Sequence, residues 1–404
     1  MTTPKEVTIL LFAALIVSAP SVGMADEHSG RESLTGNLKV MTQNLYVGAD
    51  LFQILNTDNP VPVNAAAIFG DIQATDFWQR AEAIANLIAE RNPHLIGLQE
   101  VSLIRTQCPS DLVVDPTLGP NATSVYADYL QMLLEALNAR GLHYEVAAIV
   151  TNADVELPVL NLGLLTSCGA PFFDARLTDS DVTLRRSDVD VTFSYSDNYT
   201  ANFPVPTPAG PIEFIRGYNI VDVDVNGRNY RFVNTHLEVN GNPFANFFQY
   251  AQAAELTQTL GFFAGIFGDR IVVTVGDFNS DPAFGETQPC ILPPFNGEPV
   301  PCDTPYTVMQ EAGFIDTWTV RKAPPGDGFT CCQDDLLTND DSLLDARFDY
   351  IWLRAPFGGS PVPDFLVTSQ VRTVGDDQED RTADWLWPSD HAGVFANMVI
   401  RQAR

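Results

Sequence analysis

The stretch Ile271-Val-Val-Thr-Val-Gly-Asp-Phe-Asn-Ser-Asp-Pro282 decides how the rest of the chain is read. Ile271, Val272, Val273 and Val275 form an uncharged β-branched run, the pattern of a central strand covered on both faces. Gly276 ends the run, and Asp277 and Asn279 follow two residues apart. In extended backbone that spacing sends both side chains to one side. One is an acceptor and a candidate base; the other offers amide N–H groups to an anion. Alone, the segment reads equally well as a turn rich in Asp, Asn and Ser. Its meaning depends on whether other strands end in the same way.

Working outward, they do. Asn37–Leu45 predicts a first strand carrying Asn44 at its end, followed by a turn over 46–50. Leu95–Leu98 predicts a short apolar strand ending in Gln99 and Glu100. Asn226-Gly227 is a hairpin signal before Arg228–Val233, which runs into Asn234-Thr-His236. Asp349 lies within a predicted strand over Arg347–Leu353, and Ser389-Asp390-His391 precedes the last, Gly393–Ile400. In α/β architecture such strand ends line one rim, where ligand sites form. A lone histidine is more often structural than catalytic; it is the agreement of all these ends that points to a site.

Between the strands, the apolar spacing predicts a helix over Asp76–Arg91, with Phe77, Ala81, Ile84, Leu87 and Ile88 on one face. Others are expected at about 123–140 (capped by Gly141), 244–264 and Tyr306–Ala312. Residues 51–75 read as a loop containing Pro and Asn. The period-two alternation over 143–235 predicts several antiparallel strands, and 282–345 a long Pro-, Gly-, Asp- and Cys-rich loop. No repeat or interdomain linker is visible, so residues 36–404 are expected to form one domain.

Residues 1–25 read as a secretory signal: Lys5, an apolar run over Val7–Val17, then the small-residue region Ser21–Ala25. The run is shorter than the about 20 residues that span a bilayer, and no later segment is long and apolar enough to do so. The expectation is a soluble exported protein, extracellular or periplasmic. Six cysteines fit an oxidising compartment. Cys290 and Cys302, flanking a Pro-rich loop, are expected to pair, while the partners of Cys331 and Cys332 stay open. The cysteines lack the paired spacing of a zinc site.

The chain carries 51 acidic against 22 basic residues, a net charge of −29. That surface repels polyanions and has no basic stripe, which disfavours a nucleic-acid partner but leaves room for a local phosphate site. The acidic pairs Asp334-Asp335 and Asp340-Asp341 lack the spacing of an EF-hand and read as plain loop. Phe244, Phe247, Phe248, Phe262 and Phe263 read as core packing in preference to a lipid-facing patch. Arg216 reads as a surface arginine, with phosphate contact as the alternative. There is no Gly-x-Ser-x-Gly nucleophile elbow.

In this order, Gln43-Asn-Leu45, Leu98-Gln-Glu-Val101, Asn234-Thr-His-Leu237, Gly276-Asp-Phe-Asn279, Arg347-Phe-Asp-Tyr350 and Ser389-Asp-His391 resemble the endonuclease/exonuclease/phosphatase superfamily. Gly313-Phe-Ile-Asp-Thr-Trp318 adds to the likeness, which spans about residues 38–400. The resemblance implies an α/β four-layer sandwich, two mixed β-sheets packed face to face and flanked by helices. It implies a divalent metal, Mg²⁺ with Mn²⁺ or Ca²⁺ as alternatives, held by Glu100 with Asn44 and Asp390. Asp277 is expected to orient or deprotonate the attacking water, and Asn279, with Arg216, to contact phosphate. His391, fixed by Asp349, and His236 are expected to serve the scissile phosphate. The second histidine points to the branches with secreted nucleases, sphingomyelinases and inositol phosphatases, as opposed to abasic-site endonucleases. The substrate is then a phosphate ester, with nucleic acid, a phospholipid head group and a small phosphodiester all open. The competing reading is a secreted binding protein that keeps the fold without turnover.

Overall fold

The computed structural model describes residues 35–207, 210–322, 326–356 and 366–401. The expected signal segment, residues 1–25, lies outside them. The chain enters on β1 (Thr35–Asn44), then runs through a 3-10 turn at Leu51–Leu55, α1 (Val61–Ala74), α2 (Phe77–Arg91), β2 (Leu95–Gln99), β3 (Leu103–Gln107) and β4 (Ser124–Asp128). After α3 (Tyr129–Ala139) come β5 (Tyr144–Leu160), β6 (Phe172–Arg186), β7 (Asp190–Asn198), β8 (Phe203–Thr207), β9 (Gly210–Phe214), β10 (Gly217–Asp224) and β11 (Asn229–His236). The last part holds α4 (Pro243–Phe267), β12 (Ile271–Asp277), β13 (Thr287–Cys290), β14 (Val300–Asp303), α5 (Pro305–Glu311), β15 (Ile315–Asp316), β16 (Asp349–Arg354), β17 (Leu366–Val374) and β18 (Gly393–Arg401).

Two large mixed sheets result. One runs β17-β18-β1-β2-β6-β3-β4, with β5 on β6; the other runs β15-β16-β12-β11-β10-β7. Each contains one parallel pair, β1/β2 and β11/β12, flanked by antiparallel neighbours. Strand alternation sorts the side chains into three cores. Val40, Leu95, Phe232, Val273, Val275 and Ile351 meet between the sheets. Met41, Ile96 and Leu184 face the other way, toward Phe69, Ile84 and Leu133 of α1–α3. On the far side, Ile220, Val233, Val272 and Trp352 pack on Leu256 and Leu260 of α4 and Met309 of α5. The order is helices, sheet, sheet, helices, the four-layer sandwich the motifs imply. Val272 and Val273 fall in different cores, so the Ile271–Val275 run is buried on both faces, as its composition requires.

The sheets approach closely at Gly97, where a Cβ would lie 2.5 Å from Val275 Cγ2 and 2.6 Å from Asn234 Oδ1. Asn234 bridges the layers there. Its amide donates to the carbonyls of Leu98 at 3.0 Å and Val182 at 3.1 Å, and its Oδ1 accepts from Gln99 Nε2 at 2.6 Å. A fully satisfied buried amide specifies how two apolar layers register on each other. Gly276 has φ +145°, and a Cβ there would sit 1.9 Å from Thr235 O, so no other residue fits.

Four features differ from the reading above. Residues 51–75 contain α1, whose Pro62 sits in the first turn where no N–H is needed. The first part of the helix expected over 123–140 is β4, paired with β3; α3 starts at Tyr129, with Asp128 accepting from Gln131 N at 3.0 Å. Asp349 opens β16 instead of lying inside it. The long 282–345 loop carries the β13–β14 hairpin, closed by the expected Cys290–Cys302 bond. Cys108 pairs with Cys168, and Cys331 with its neighbour Cys332. Of the phenylalanines read as core, Phe248 and Phe263 are buried while Phe262 is exposed. Among the described residues, no helix is long and apolar enough to cross a membrane.

Candidate active site

The two parallel pairs deliver their C-terminal ends to one place, and β16 and β18, antiparallel to their neighbours, begin there. Asn44 stands opposite Gln99, and His236, Asp277 and Asp349 stand in line across β11, β12 and β16. Glu100 and His391 lie just outside their strands. These ends open on a cleft of about 410 Å³ lined by Glu100, Arg216, His236, Asp277, Asn279, Asp390 and His391, among others. Asn44 and Asp349 are buried at 1% exposure beneath it.

Hydrogen bonds tie these groups together. Asn44 Nδ2 donates to Glu100 Oε1 at 3.0 Å and to Asp277 Oδ2 at 3.2 Å, while its Oδ1 accepts from Tyr46 N at 2.9 Å. The second oxygen of Glu100 accepts from Val47 N at 2.9 Å. Glu100 adopts φ +54°, sparsely populated for an L side chain, which aims its carboxylate across the strand ends. Asn279, at φ +49°, donates its own N–H to Asp277 Oδ1 at 2.9 Å; its side-chain amide reaches Leu237 O at 3.0 Å and His236 Nε2 at 3.2 Å. Asp349 Oδ2 lies 2.7 Å from His391 Nδ1. Asp277 Oδ2 sits between the imidazoles, 3.5 Å from His236 Nε2 and 3.8 Å from His391 Nε2.

Burial and charge drive the two imidazoles apart. Burial by itself would lower His391, but Asp349, Asp390 and Asp277 outweigh it and hold the ring well above its ordinary value. His236 is held well below by burial, with Arg216 and His391 adding. Burial pushes the Asp277 carboxyl up to about 7, with His391 opposing and Asp349 adding. Asp390 is likewise pushed up to about 7 by burial, with His391 opposing and Glu100 adding.

Arg216 is the surface arginine that the structure moves inward. Its guanidinium NH1 lies 3.1 Å from His236 Nδ1, and NH2 lies 3.5 Å from Glu238 Oε1. Behind it stand three acids that the sequence reading did not single out. Glu238 is buried; burial pushes Asp179 up to about 6, with Glu100 adding; and burial, then Asp179, holds Asp181 well above the carboxylate range. Asp179 and Asp181 share the two-residue spacing of Asp277 and Asn279, but they lie inside a strand and not at its end, so nothing local marked them. Cys332 also reaches the cleft, its Sγ 4.0 Å from His391 Nε2. Asp316 and Arg347, from two further motifs, do not join the site; they form a buried ion pair at 2.5 Å.

No protein-family model and no curated protein matches the chain. Solved structures do. An endonuclease/exonuclease/phosphatase family protein from Bacteroides thetaiotaomicron aligns at 15% identity and TM-score 0.50, covering 91% of this chain and 99% of that one. A mannosyl-6-phosphatase from the same organism aligns at 15% identity and TM-score 0.49, covering 89% and 99%. TDP2 from C. elegans aligns at 17% identity and TM-score 0.46, covering 91% and 76%. The first of these carries the likeness, which is one of fold: this chain has the endonuclease/exonuclease/phosphatase fold.

Proposed function

We propose that this chain is a secreted, divalent-metal-dependent phosphoester hydrolase whose catalytic domain covers residues 36–404. The observation that carries the reading is the pair of imidazoles flanking Asp277 in one cleft, 3.5 and 3.8 Å from its Oδ2, with surroundings that favour the charged form of His391 and the neutral form of His236. Titratable neighbours pushed apart by their surroundings mark acid and base roles.

The donor set fits a hard cation. Glu100 and Asp390 both line the cleft, and burial, with the Glu100 charge adding, pushes the Asp390 carboxyl up to about 7, an arrangement of hard oxygens suited to a divalent cation. Glu100, Asp390 and the Asn44 amide would hold Mg²⁺, with Mn²⁺ or Ca²⁺ as alternatives. When bound, the metal screens the phosphate charge and stabilises the leaving oxygen. Asp277 accepts the proton of a water that attacks phosphorus in line. His391, a cation fixed through Nδ1 by Asp349, presents Nε2 to a phosphate oxygen and returns a proton to the leaving group. His236, held neutral, is better suited to clamp the phosphate than to act as an acid. Arg216 adds a fixed positive charge beside it, and the Asn279 amide turns from His236 to a phosphate oxygen when substrate enters.

The charge assignment predicts a titration. In metal-free protein at pH 7.5, long-range ¹H–¹⁵N spectra are expected to show both ring nitrogens of His391 protonated. His236 is expected to stay neutral at pH 5.5, about one unit below an ordinary imidazole. Ordinary titration of both rings near pH 6.5 would sink the assignment.

The function itself is tested by offering mature protein plasmid DNA, RNA, sphingomyelin vesicles, bis-p-nitrophenyl phosphate and an inositol polyphosphate. Each is run with Mg²⁺ and with EDTA. Turnover of one substrate that EDTA abolishes supports the reading and identifies the substrate class. The acidic surface leads us to expect DNA and RNA to be the poorer substrates. A folded protein inert on the whole panel would favour the binding-protein alternative.

A further inference from the structure

The cleft has an apolar wall as well as a charged one. Val47, Ala49, Leu51, Phe52 and Ile54, with Leu177 from β6, line it beside the groups assigned to catalysis. The backbone of the turn that begins this wall faces inward. Arg80 donates to the carbonyls of Leu45 at 2.6 Å and Tyr46 at 3.1 Å. The Tyr129 hydroxyl donates to that of Val47 at 2.7 Å, and Thr75 Oγ1 to that of Gly48 at 3.0 Å. All three donor side chains are buried in the core. With its carbonyls satisfied from within, the turn has hydrocarbon left to present to a ligand. The same bonds fix the wall against Glu100, which accepts from Val47 N at 2.9 Å. A wall already in place costs little to order on binding.

The apolar surface continues inward. Leu51, Ile54 and Leu177 also line a second cavity, of about 90 Å³, bounded by Ile68 and Phe69 of α1 and Leu157 of β5. Arg176 is the one charged group among the described residues of that cavity, and its guanidinium is bound to Asp154. Charge in the main cleft points the same way. Asp50, Asp179, Glu238 and Asp335 line it, and Arg216 is the one arginine or lysine among its described lining residues. A second phosphate on the substrate would meet these carboxylates, since Arg216 is assigned to the first. A neutral hydrocarbon arm meets no such repulsion and gains by leaving water.

We propose that the substrate is a phosphate ester with one neutral, apolar arm, which lies on the 47–55 wall and reaches toward the cavity under α1. This rests on the hydrolase reading and narrows it to esters of apolar alcohols, soluble or lipid. Leu51, Ile54 and Leu177 are then residues that determine specificity.

The test is kcat/KM on ethyl, butyl and hexyl p-nitrophenyl phosphates with Mg²⁺. Beside them run p-nitrophenylphosphocholine, whose arm is cationic, and phosphatidylcholine vesicles. Each added methylene is expected to raise kcat/KM about threefold, mainly through KM, and the step from ethyl to hexyl about 80-fold. Leu51→Gln is expected to cut the hexyl-to-ethyl ratio about tenfold, and Phe52→Gln, at a half-exposed position, about threefold. Calorimetric titration with hexylphosphonate and ethylphosphonate reads the same preference without turnover. A protein that hydrolyses no ester yet binds hexylphosphonate about tenfold more tightly or better keeps the apolar subsite and loses the hydrolase reading. Turnover of the hexyl ester alone supports a soluble ester, and turnover of the vesicles as well supports a lipid. Equal kcat/KM across the alkyl series, equal binding of the two phosphonates, or an unchanged ratio in both variants would overturn the proposal. So would a choline ester turned over faster than the hexyl ester.

Discussion

Replacing His391 with alanine is expected to lower kcat on the chain's phosphoester substrate by about 1,000-fold, with a much smaller change in KM. The imidazole is proposed to contribute charge and a proton mainly as the leaving oxygen departs, so its loss falls on the transition state more than on substrate binding. Asp349→Asn is the sharper companion. It leaves the volume unchanged but replaces the oxygen 2.7 Å from Nδ1 with a group that can present N–H, releasing the ring's tautomer and its positive charge. A loss of about 100-fold is expected, together with the His391 resonance returning toward an ordinary titration. Steady-state kinetics on bis-p-nitrophenyl phosphate, with circular dichroism to confirm folding, decides the matter. Wild-type kcat within about threefold in the folded His391→Ala protein would remove His391 from the reaction.

The second large effect is expected at Glu100. Glu100→Gln keeps the side-chain shape and one acceptor, so Val47 N can stay bonded; the cost to stability is about 1 kcal/mol for the bond to Asn44 that an amide meets less well. The negative charge is gone, and with it the principal anionic ligand proposed for the metal. Activity at fixed Mg²⁺ is expected to fall by about 100-fold or more, and the Mg²⁺ concentration for half-maximal activity to rise. Measuring rate against Mg²⁺ separates this from a loss of substrate binding. An unchanged half-saturation in Glu100→Gln would move the metal elsewhere, and Asp390 with Asp277 would be the next pair to alter.

Much of the candidate site was legible because strand ends are local events. An apolar run stopped by Gly276, or by Gln99-Glu100, shows where the backbone leaves a sheet and which side chain it presents there. The Ile271–Val275 run showed burial on both faces, since no polar residue marks a solvent side. Arg216, Asp179, Asp181 and Glu238 were not legible in the same way. Arg216, Asp179 and Glu238 line the cleft, with Asp181 buried, only because β6 and β10 come to lie beside β2 and β11 in the folded sandwich, and nothing local distinguishes an inward arginine from a surface one. Helix α1 escaped for the opposite reason. Its Pro62, Asn64 and Gly70 look like loop residues, whereas in place Pro62 occupies the first turn and Phe69 and Ile72 pack into the core.

The sequence by itself determined the strands that carry the polar ends, the order of those ends and the acidic, disulfide-compatible character of the chain, because these follow from local periodicity and composition. Only the tertiary structure decided charge states and partners. Asp277 is raised to about 7 chiefly because it is buried, with the Asp349 and His391 charges acting beside it. Glu156 Oε2 accepts from the N–H groups of Asn121 and Ala122 because a loop 35 residues away in sequence closes over β5. Desolvation and Coulomb interactions depend on distances through space, and chain spacing does not encode them.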